Sequence, residues 1–204
     1  MVELLLVLAV FISISAVAAR QYSARRVAVC QLSCVMVLML LVAPAFAQSP
    51  DAPAQDKGSS FLWDVAKATA VDPTTYAPAA TAYGAMRLDW GSSQLLFQNG
   101  YVEHNPRYTI SGRSHDVPLS YAAGNGKIFR DSLQILQMSV VNNLTANLVE
   151  RVLIQRHPNH KTLFRTIGWI ERVGFASYWS YRLSAGHLRA WQDNERLARQ
   201  RGYK

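Results

Sequence analysis

Cysteine is nearly missing from this sequence of 204 residues. Both cysteines, Cys30 and Cys34, lie inside an apolar run near the N terminus, so nothing after residue 34 can form a disulfide or supply a thiolate. Common catalytic signatures are missing too: the sequence has no G-x-S-x-G, phosphate-binding loop or dinucleotide fingerprint. A metal site here would therefore need histidine and carboxylate ligands.

Charge is scarce over the first 47 residues. Residues 1–19 carry only Glu3, and their length approaches the roughly 20 apolar residues that span a bilayer. A basic patch at residues 20–26, an apolar run at 27–44 and an A-x-A sequence ending at Ala47 then follow in the order of a secretory signal. This order predicts a signal sequence over 20–47, cleaved between Ala47 and Gln48.

Two apolar segments in succession allow two interpretations. Either translation starts later and residues 1–19 are never made, or residues 1–19 form a membrane helix. In the second case the arginines at 20–26 stay in the cytoplasm by the positive-inside rule, which places the rest of the chain outside. Both interpretations predict export, to the periplasm or to the outer side of the cytoplasmic membrane.

Residues 48–60 are rich in proline, alanine and serine and predict a flexible linker. Residues 61–204 then have the length of one domain. Residues 48–204 carry 18 basic and 12 acidic side chains, a net charge of +6. For an exported protein this charge favours a membrane surface or another envelope protein as partner, and not nucleic acid.

The chain after the linker predicts helices and one long loop. We expect a helix over 61–70 that ends at Asp72-Pro73, where Asp72 can cap the next turn, and a second helix over 74–90 that starts or is interrupted at Pro78. Ser92 or Ser93 can cap a further short helix, which ends at Asn99-Gly100. Residues 101–126 contain repeated proline and glycine, which predict an irregular loop with at most one short hairpin.

Two long helices follow the loop. Apolar residues at spacings of three and four predict a helix over 127–156, with a stripe of Phe129, Leu133, Leu136, Val140, Leu144, Leu148 and Val152. After a turn at 157–160, a second helix from Lys161, with a break near 184–186, has the stripe Leu163, Ile167, Ile170, Gly174, Ser177, Tyr181, Leu188 and Trp191. A short turn between long helices predicts antiparallel packing, in which Gly168, Gly174, Ala176 and Ser177 permit close approach. The predicted fold class is all-α.

Histidine supplies the first candidate chemistry. A divalent metal held by His and carboxylate ligands would make a hydrolase, with the metal acidifying a bound water and Glu103 or Asp116 as base. H-x-x-H across a proline is a weak signal, because surface turns often carry histidine. The candidate metal ligands are His157, His160, His187, His104 and Glu103.

The loop supplies a second candidate. Its arginines, tyrosines and amides can bind a carboxylate or phosphate ligand, with Arg107, Arg113, His115 and Asp116 as the candidate residues. The alternative, which we favour, is that these side chains only brace the loop against the helices.

A third candidate is a membrane-facing surface. Arg172, Arg182 and Arg189 are interleaved with the aromatic residues Trp169, Tyr178, Trp179, Tyr181 and Trp191, a pattern typical of the membrane interface. Such aromatic residues are more often core, and we favour core here.

Several short runs, namely DPTTYAP, RLDW, EHNPRYTISG, LSYAAGN, VVNNLT and GWIERV, resemble runs in exported bacterial proteins with no assigned activity. They are distributed over much of residues 64–204. The resemblance implies a bacterial envelope protein and implies no catalytic residue. Together these observations favour a non-enzymatic envelope protein that binds a partner or an anionic surface without a cofactor, with the metal hydrolase and the anionic-ligand protein as alternatives.

Overall fold

Four α-helices account for most of residues 61–203, the part of the chain that the computed structural model describes. They are α1 (Phe61–Val71), α2 (Ala77–Gln98), α3 (Tyr121–Arg156) and α4 (Lys161–Arg201). Within the described residues the only β structure is two isolated bridges, so the all-α prediction is confirmed. The predicted targeting region, its cleavage point and the linker lie outside the described residues.

Short 3₁₀ turns connect these helices. Asp72 caps the turn Pro73–Thr75, with its carboxylate accepting from the backbone N–H of Thr74 at 2.9 Å, as its position before a proline predicts. Asn105 caps the turn Pro106–Tyr108 in the same way. A third turn, Pro158–His160, separates α3 from α4 where the sequence predicts a turn.

The described residues divide into two compact units, and the helical domain predicted over 61–204 stays a prediction. Unit 1 consists of residues 61–71 and 140–168, and unit 2 of residues 72–139 and 169–203. Helix α3 contributes one segment to unit 1 and another to unit 2, and so does helix α4. Unit 1 has a core of Val65, Leu148 and Val152, and unit 2 has a core of Ala82, Met86, Trp90, Tyr108 and Ile128.

Buried amide and hydroxyl groups hold α1 in unit 1. The side chain of Asn147 on α3 donates to the Thr69 hydroxyl at 2.9 Å, and that hydroxyl donates to the Val65 carbonyl at 3.0 Å. Both residues are buried. Because a buried amide must find a partner, this bond makes the position of α1 specific.

Helix α2 corrects one prediction. The separate short helix beginning at Ser92 or Ser93 is wrong, because α2 continues unbroken to Gln98. Both serine hydroxyls donate to the Asp89 carbonyl at 2.9 Å, one turn back, and so stay inside the helix. The predicted end is right: Asn99 is the C-cap, and Gly100 has the positive φ of 84° that favours glycine.

The long loop also ends earlier than predicted. Helix α3 begins at Tyr121, so Gly124 and Gly126 are helical and the loop occupies 99–120. A methyl group at Gly124 would overlap the indole ring of Trp90, which shows that this glycine serves close packing and not a loop. The bridges Glu103–Asp116 and Thr109–Pro118 give the loop the form of a loose hairpin.

The predicted stripe on α3 is wrong in its first half. Phe129 is 54% exposed and Leu133 46% exposed, whereas the neighbouring Ile128 and Ser132 are buried. The buried face is therefore displaced by one residue, about 100° around the helix. Ser132 and Ser139 can be buried because each hydroxyl donates to a carbonyl of its own helix, which a hydrophobicity pattern does not reveal. Farther along, Leu148 and Val152 are buried as predicted.

Candidate functional site

A cleft of about 400 Å³ lies within unit 2, between α2, the loop and the C-terminal part of α4. This volume falls in the range of small-molecule sites. Its apolar lining is Met86, Trp90, Leu96, Phe97, Tyr101, Val102, Tyr108, Ile128, Ala190 and Leu197. Its polar lining is Asp89, Ser93, Glu103, His104, Asn105, His187 and Asn194.

Asp89 is the centre of the polar wall. One carboxylate oxygen lies 2.8 Å from Nδ1 of His187, and the other accepts from the Asn194 amide at 3.3 Å. His187 and Asn194 are seven residues apart on α4, so they lie two turns apart on one side of the helix. The Asn194 amide also donates to Ser92 and Ser93. The two serine hydroxyls are thus occupied, and neither hydrogen-bonds to His187 as a catalytic nucleophile would.

Aromatic rings line another part of the cleft. The Trp90 ring packs against Phe97 and Tyr108, with centroid distances of 5.6 and 5.5 Å, and its indole N–H donates to the Tyr121 carbonyl at 3.2 Å. Burial, reinforced by the negative charge of Asp131, raises the pKa of Tyr108 to about 12. The Tyr108 phenol therefore stays protonated to a higher pH than an exposed tyrosine does.

The loop forms the mouth of the cleft. Glu103 and Asp116 exchange backbone hydrogen bonds, which brings the rings of His104 and His115 to a centroid distance of 4.3 Å. His115 has a positive φ of 59°, an uncommon conformation for a residue other than glycine. The Ser111 hydroxyl and the Val117 N–H donate to the Asp116 carboxylate and lower its pKa. The loop is thus ordered by its own polar groups.

The candidate metal ligands are only partly brought together. Glu103, His104 and His187 line this cleft in unit 2. His157 and His160 lie in the turn of unit 1, exposed, with their rings 6.2 and 6.4 Å from Phe164. Across residues 61–203, no group of three or more His, Cys, Asp or Glu side chains is placed to hold a metal ion. The metal-hydrolase hypothesis therefore has no ligand set in that range.

The candidate anion-binding residues have structural partners. Arg107 forms an ion pair with Asp131 on α3 at 2.7 Å, and Asp116 is engaged within the loop. Arg113 is exposed, and its hydrogen bonds are made by its backbone: the N–H donates to the Ser111 hydroxyl, and the carbonyl accepts from the Thr109 hydroxyl. None of these three residues lines the cleft, and neither does His115. Of these residues, Arg107 braces the loop against α3, as the favoured interpretation predicts, whereas Asp116 bonds within the loop and the bonds of Arg113 belong to its backbone.

Sequence reasoning identified three cleft residues, Glu103, His104 and His187, but missed Asp89 and Asn194. No motif marks these two, because the pairing joins residues about 100 positions apart on separate helices. The nearest sequence signal is the spacing of seven between His187 and Asn194 on a predicted helix, which is too common to be specific.

A second feature of unit 2 is an apolar face of α4 that points to solvent, which we call the outer face. It consists of Ile170, Tyr178, Tyr181 and Leu188, which are 57, 50, 67 and 37% exposed. These positions share one side of the helix, and the intervening Gly174 and Ser177 are exposed too. The predicted packing stripe of α4 therefore faces solvent over this stretch. The core interpretation is wrong for Tyr178 and Tyr181, and also for Trp169, which is 59% exposed.

The arginines near this face differ in their surroundings. Arg172 is largely buried and lies 3.0 Å from the Asp72 carboxylate, so it belongs to the structure of unit 2. Arg182 and Arg189 are exposed and, being seven residues apart, share one side of α4 next to the outer face. From residue 169 to 192 the helix carries one acidic residue, Glu171. The predicted break at 184–186 is wrong, since α4 is continuous there.

Within residues 61–203, no helix is both long enough and apolar enough to span a bilayer. Comparison with known proteins gives no relative: no protein-family model, characterised protein or solved structure matches the chain.

Proposed function

We propose that this chain is an exported, non-enzymatic binding protein that docks on an anionic membrane surface through the outer face of α4. The observation that carries the proposal is the exposure of Ile170, Tyr178, Tyr181 and Leu188 along one side of a helix. A regular apolar pattern that the described chain does not cover is typical of an interaction surface.

Charge supports a lipid surface as the occupant. Tyrosine and tryptophan favour the boundary between headgroups and acyl chains, where an apolar ring meets a wet hydroxyl or N–H. Arg182 and Arg189 lie next to these residues, and each basic side chain near an anionic surface contributes on the order of 1 kcal/mol. A second copy of the chain would present the same two arginines, and its segment 169–192 supplies only Glu171 as an opposite charge.

The position of the predicted N-terminal segment supports the same proposal. The linker predicted over 48–60 has a root-mean-square reach of about 20 Å if it is flexible. If the signal is retained, the preceding apolar segment stays in the membrane and the helices stay close to the bilayer surface. A weak surface affinity is then sufficient for docking, because the tether raises the effective concentration. If the signal is cleaved between Ala47 and Gln48, docking depends on the outer face without a tether.

The test uses the full chain in lipid nanodiscs and a tryptophan reporter. Tyr181→Trp places the reporter on the outer face, and Tyr83→Trp places a matched reporter at an exposed tyrosine of α2. Because the natural chain has five tryptophans, each reporter is read as the difference in quenching between the variant and the natural chain. With brominated acyl chains and anionic headgroups, the Tyr181→Trp reporter should be quenched more than the Tyr83→Trp reporter. In zwitterionic discs, or in high salt, the difference should disappear because charge attraction is screened.

Charge variants distinguish docking through the outer face from attachment by the N-terminal segment alone. Arg182→Gln with Arg189→Gln should reduce the docked fraction about tenfold, whereas Arg113→Gln with Arg201→Gln removes the same charge elsewhere and should have little effect. Equal quenching of both reporters in every lipid would contradict the proposal. Loss of quenching together with a dimer that Tyr181→Glu disrupts would instead assign the outer face to a second copy.

A further inference from the structure

The cleft of unit 2 differs in charge from the rest of the chain. Residues 48–204 have a net charge of +6, yet the cleft lining contains no lysine or arginine. Its formally charged groups are the carboxylates of Asp89 and Glu103, accompanied by the imidazoles of His104 and His187. An anion entering this cleft would meet like charge and no guanidinium or ammonium, so its binding is unfavourable.

Its apolar wall offers ring surface mainly at the half-buried Phe97 and Tyr101, because Trp90 and Tyr108 are only 4 and 7% exposed and lie at the back of the cleft. Trp90, Phe97, Tyr101 and Tyr108 provide four aromatic rings in a volume of about 400 Å³. Aromatic faces carry negative electrostatic potential and attract cations, most strongly where water is excluded. The wall therefore favours a ligand with an apolar body, and its rings add to the attraction for a positive charge.

The polar groups are pre-arranged at defined positions. His187 and Asn194 fix both oxygens of Asp89, so the carboxylate enters any complex with its orientation already set. One Glu103 oxygen accepts from the Asn105 N–H at 2.7 Å, which holds that side chain at the mouth. Among residues 61–203, the Tyr108 hydroxyl donates to the Met86 sulfur, a weak acceptor, at 4.0 Å.

We propose that this cleft binds a small organic cation, an amine carried on an apolar or aromatic body. The body lies against the partly exposed rings of Phe97 and Tyr101, and the ammonium group lies towards the carboxylates of Asp89 and Glu103. A charge-assisted hydrogen bond between ammonium and carboxylate is stronger than its neutral counterpart, which gives selectivity for the charged ligand. This proposal does not depend on membrane docking.

The test compares three probes with the same body and different head groups: 2-phenylethylamine, 2-phenylethanol and phenylacetate. Their binding to the full chain in nanodiscs is measured by ligand-observed NMR titration, with empty discs as the control for partition into lipid. The amine should bind about tenfold more tightly than the alcohol, and phenylacetate should bind least. Tighter binding of phenylacetate, equal binding of amine and alcohol, or no binding of any probe at millimolar concentration would each overturn the proposal.

Two variants locate the binding. Glu103→Gln lies in the loop, outside the core, and should weaken amine binding about three- to tenfold without changing alcohol binding. Ala190→Phe fills the cleft from α4 and should abolish binding of both. Thermal unfolding of each variant confirms that it is folded. If a folded Ala190→Phe variant binds the amine normally, the amine binds elsewhere and the proposal is wrong.

Discussion

The two units of this protein are stabilised by different kinds of contact. Unit 1 has a small apolar core, and the buried side chains around it include the amides Asn142, Asn143 and Asn147. Unit 2 has a core of large aromatic and aliphatic side chains centred on Trp90. Polar contacts are directional and specify one arrangement of helices, whereas aromatic packing depends on shape and supplies more apolar burial.

This difference bears on function. In unit 2 the rings of Trp90, Phe97 and Tyr108 pack at tilted angles and also line a cleft, together with polar residues such as Asp89 and His187. The described residues of unit 1 bury their amides in hydrogen bonds such as Asn147 to Thr69. We therefore expect ligand binding to belong to unit 2, and unit 1 to be the part most sensitive to loss of a single hydrogen bond.

The largest effect should come from the contact between Gly124 and Trp90. Gly124→Ala adds a methyl group where the indole ring lies, and overpacking of this kind costs about 1–3 kcal/mol. Gly126→Ala is the matched control in the same helix, because nothing lies within 4 Å of its added methyl group. This control should raise the free energy of unfolding by about 0.5–1 kcal/mol, since alanine favours helix over glycine.

Chemical denaturation of both variants measures this difference. If Gly124→Ala proves as stable as Gly126→Ala, then Trp90 does not pack against this turn of α3. The aromatic description of unit 2 would then be wrong.

An effect of intermediate size should appear at alkaline pH. The pKa of Tyr108 is raised to about 12 from the ordinary 10.0, mainly by burial, so deprotonation is easier in the unfolded chain than in the folded one. The stability that Tyr108 contributes should be complete below pH 10 and should fall between pH 10 and 12. Each pKa unit corresponds to about 1.4 kcal/mol, and solvent access to the phenol screens part of this energy, so the total loss is about 1–2 kcal/mol.

Tyr108→Phe tests this assignment because it keeps the ring and removes the titrating group. Denaturation between pH 9 and 12 should show a shallower loss of stability for Tyr108→Phe than for the natural chain. Tyr83→Phe, at an exposed tyrosine of α2, is the control and should leave the slope unchanged. Parallel curves for the natural chain and Tyr108→Phe would show that this phenol titrates normally.

Sequence patterns predicted the helices better than the faces those helices bury. Strong local signals, such as Asp72 before Pro73 and Asn99 before Gly100, depend on backbone geometry close in sequence and were confirmed. The buried side of α3 was misassigned because Ser132 is buried and Phe129 is exposed, an outcome decided by tertiary packing. Gly124 looked like a loop residue for the same reason, since the space it leaves is occupied by Trp90 from another helix.

The candidate site shows the same limit. Local composition marked the loop and the histidines, but the cleft depends on Asp89 meeting His187 and Asn194 across about 100 residues of sequence. The outer face of α4 was visible as a periodic pattern. Whether such a pattern is covered or exposed is a property of the folded chain, and periodicity cannot distinguish the two cases.

The smallest effect should come from the hydrogen bond between Asn147 and Thr69 in unit 1. Thr69→Val removes the hydroxyl but keeps the shape, and it leaves the Asn147 amide without this acceptor, at a cost of about 1 kcal/mol. Thr69→Val removes two hydrogen bonds, the one from Asn147 and the one to the Val65 carbonyl. Asn147→Leu removes only the first, because the Thr69 hydroxyl still donates to the Val65 carbonyl.

A double-mutant cycle isolates the energy of this bond. If the amide and hydroxyl act as a pair, the double variant should be less destabilised than the sum of the two single variants by at least about 0.5 kcal/mol. Thr81→Val is the control for hydroxyl loss, because the exposed Thr81 hydroxyl bonds only within α2. Strict additivity would mean that α1 is positioned by apolar packing of Val65, Leu148 and Val152. The two units would then differ in which residues they bury, and not in the kind of contact that stabilises them.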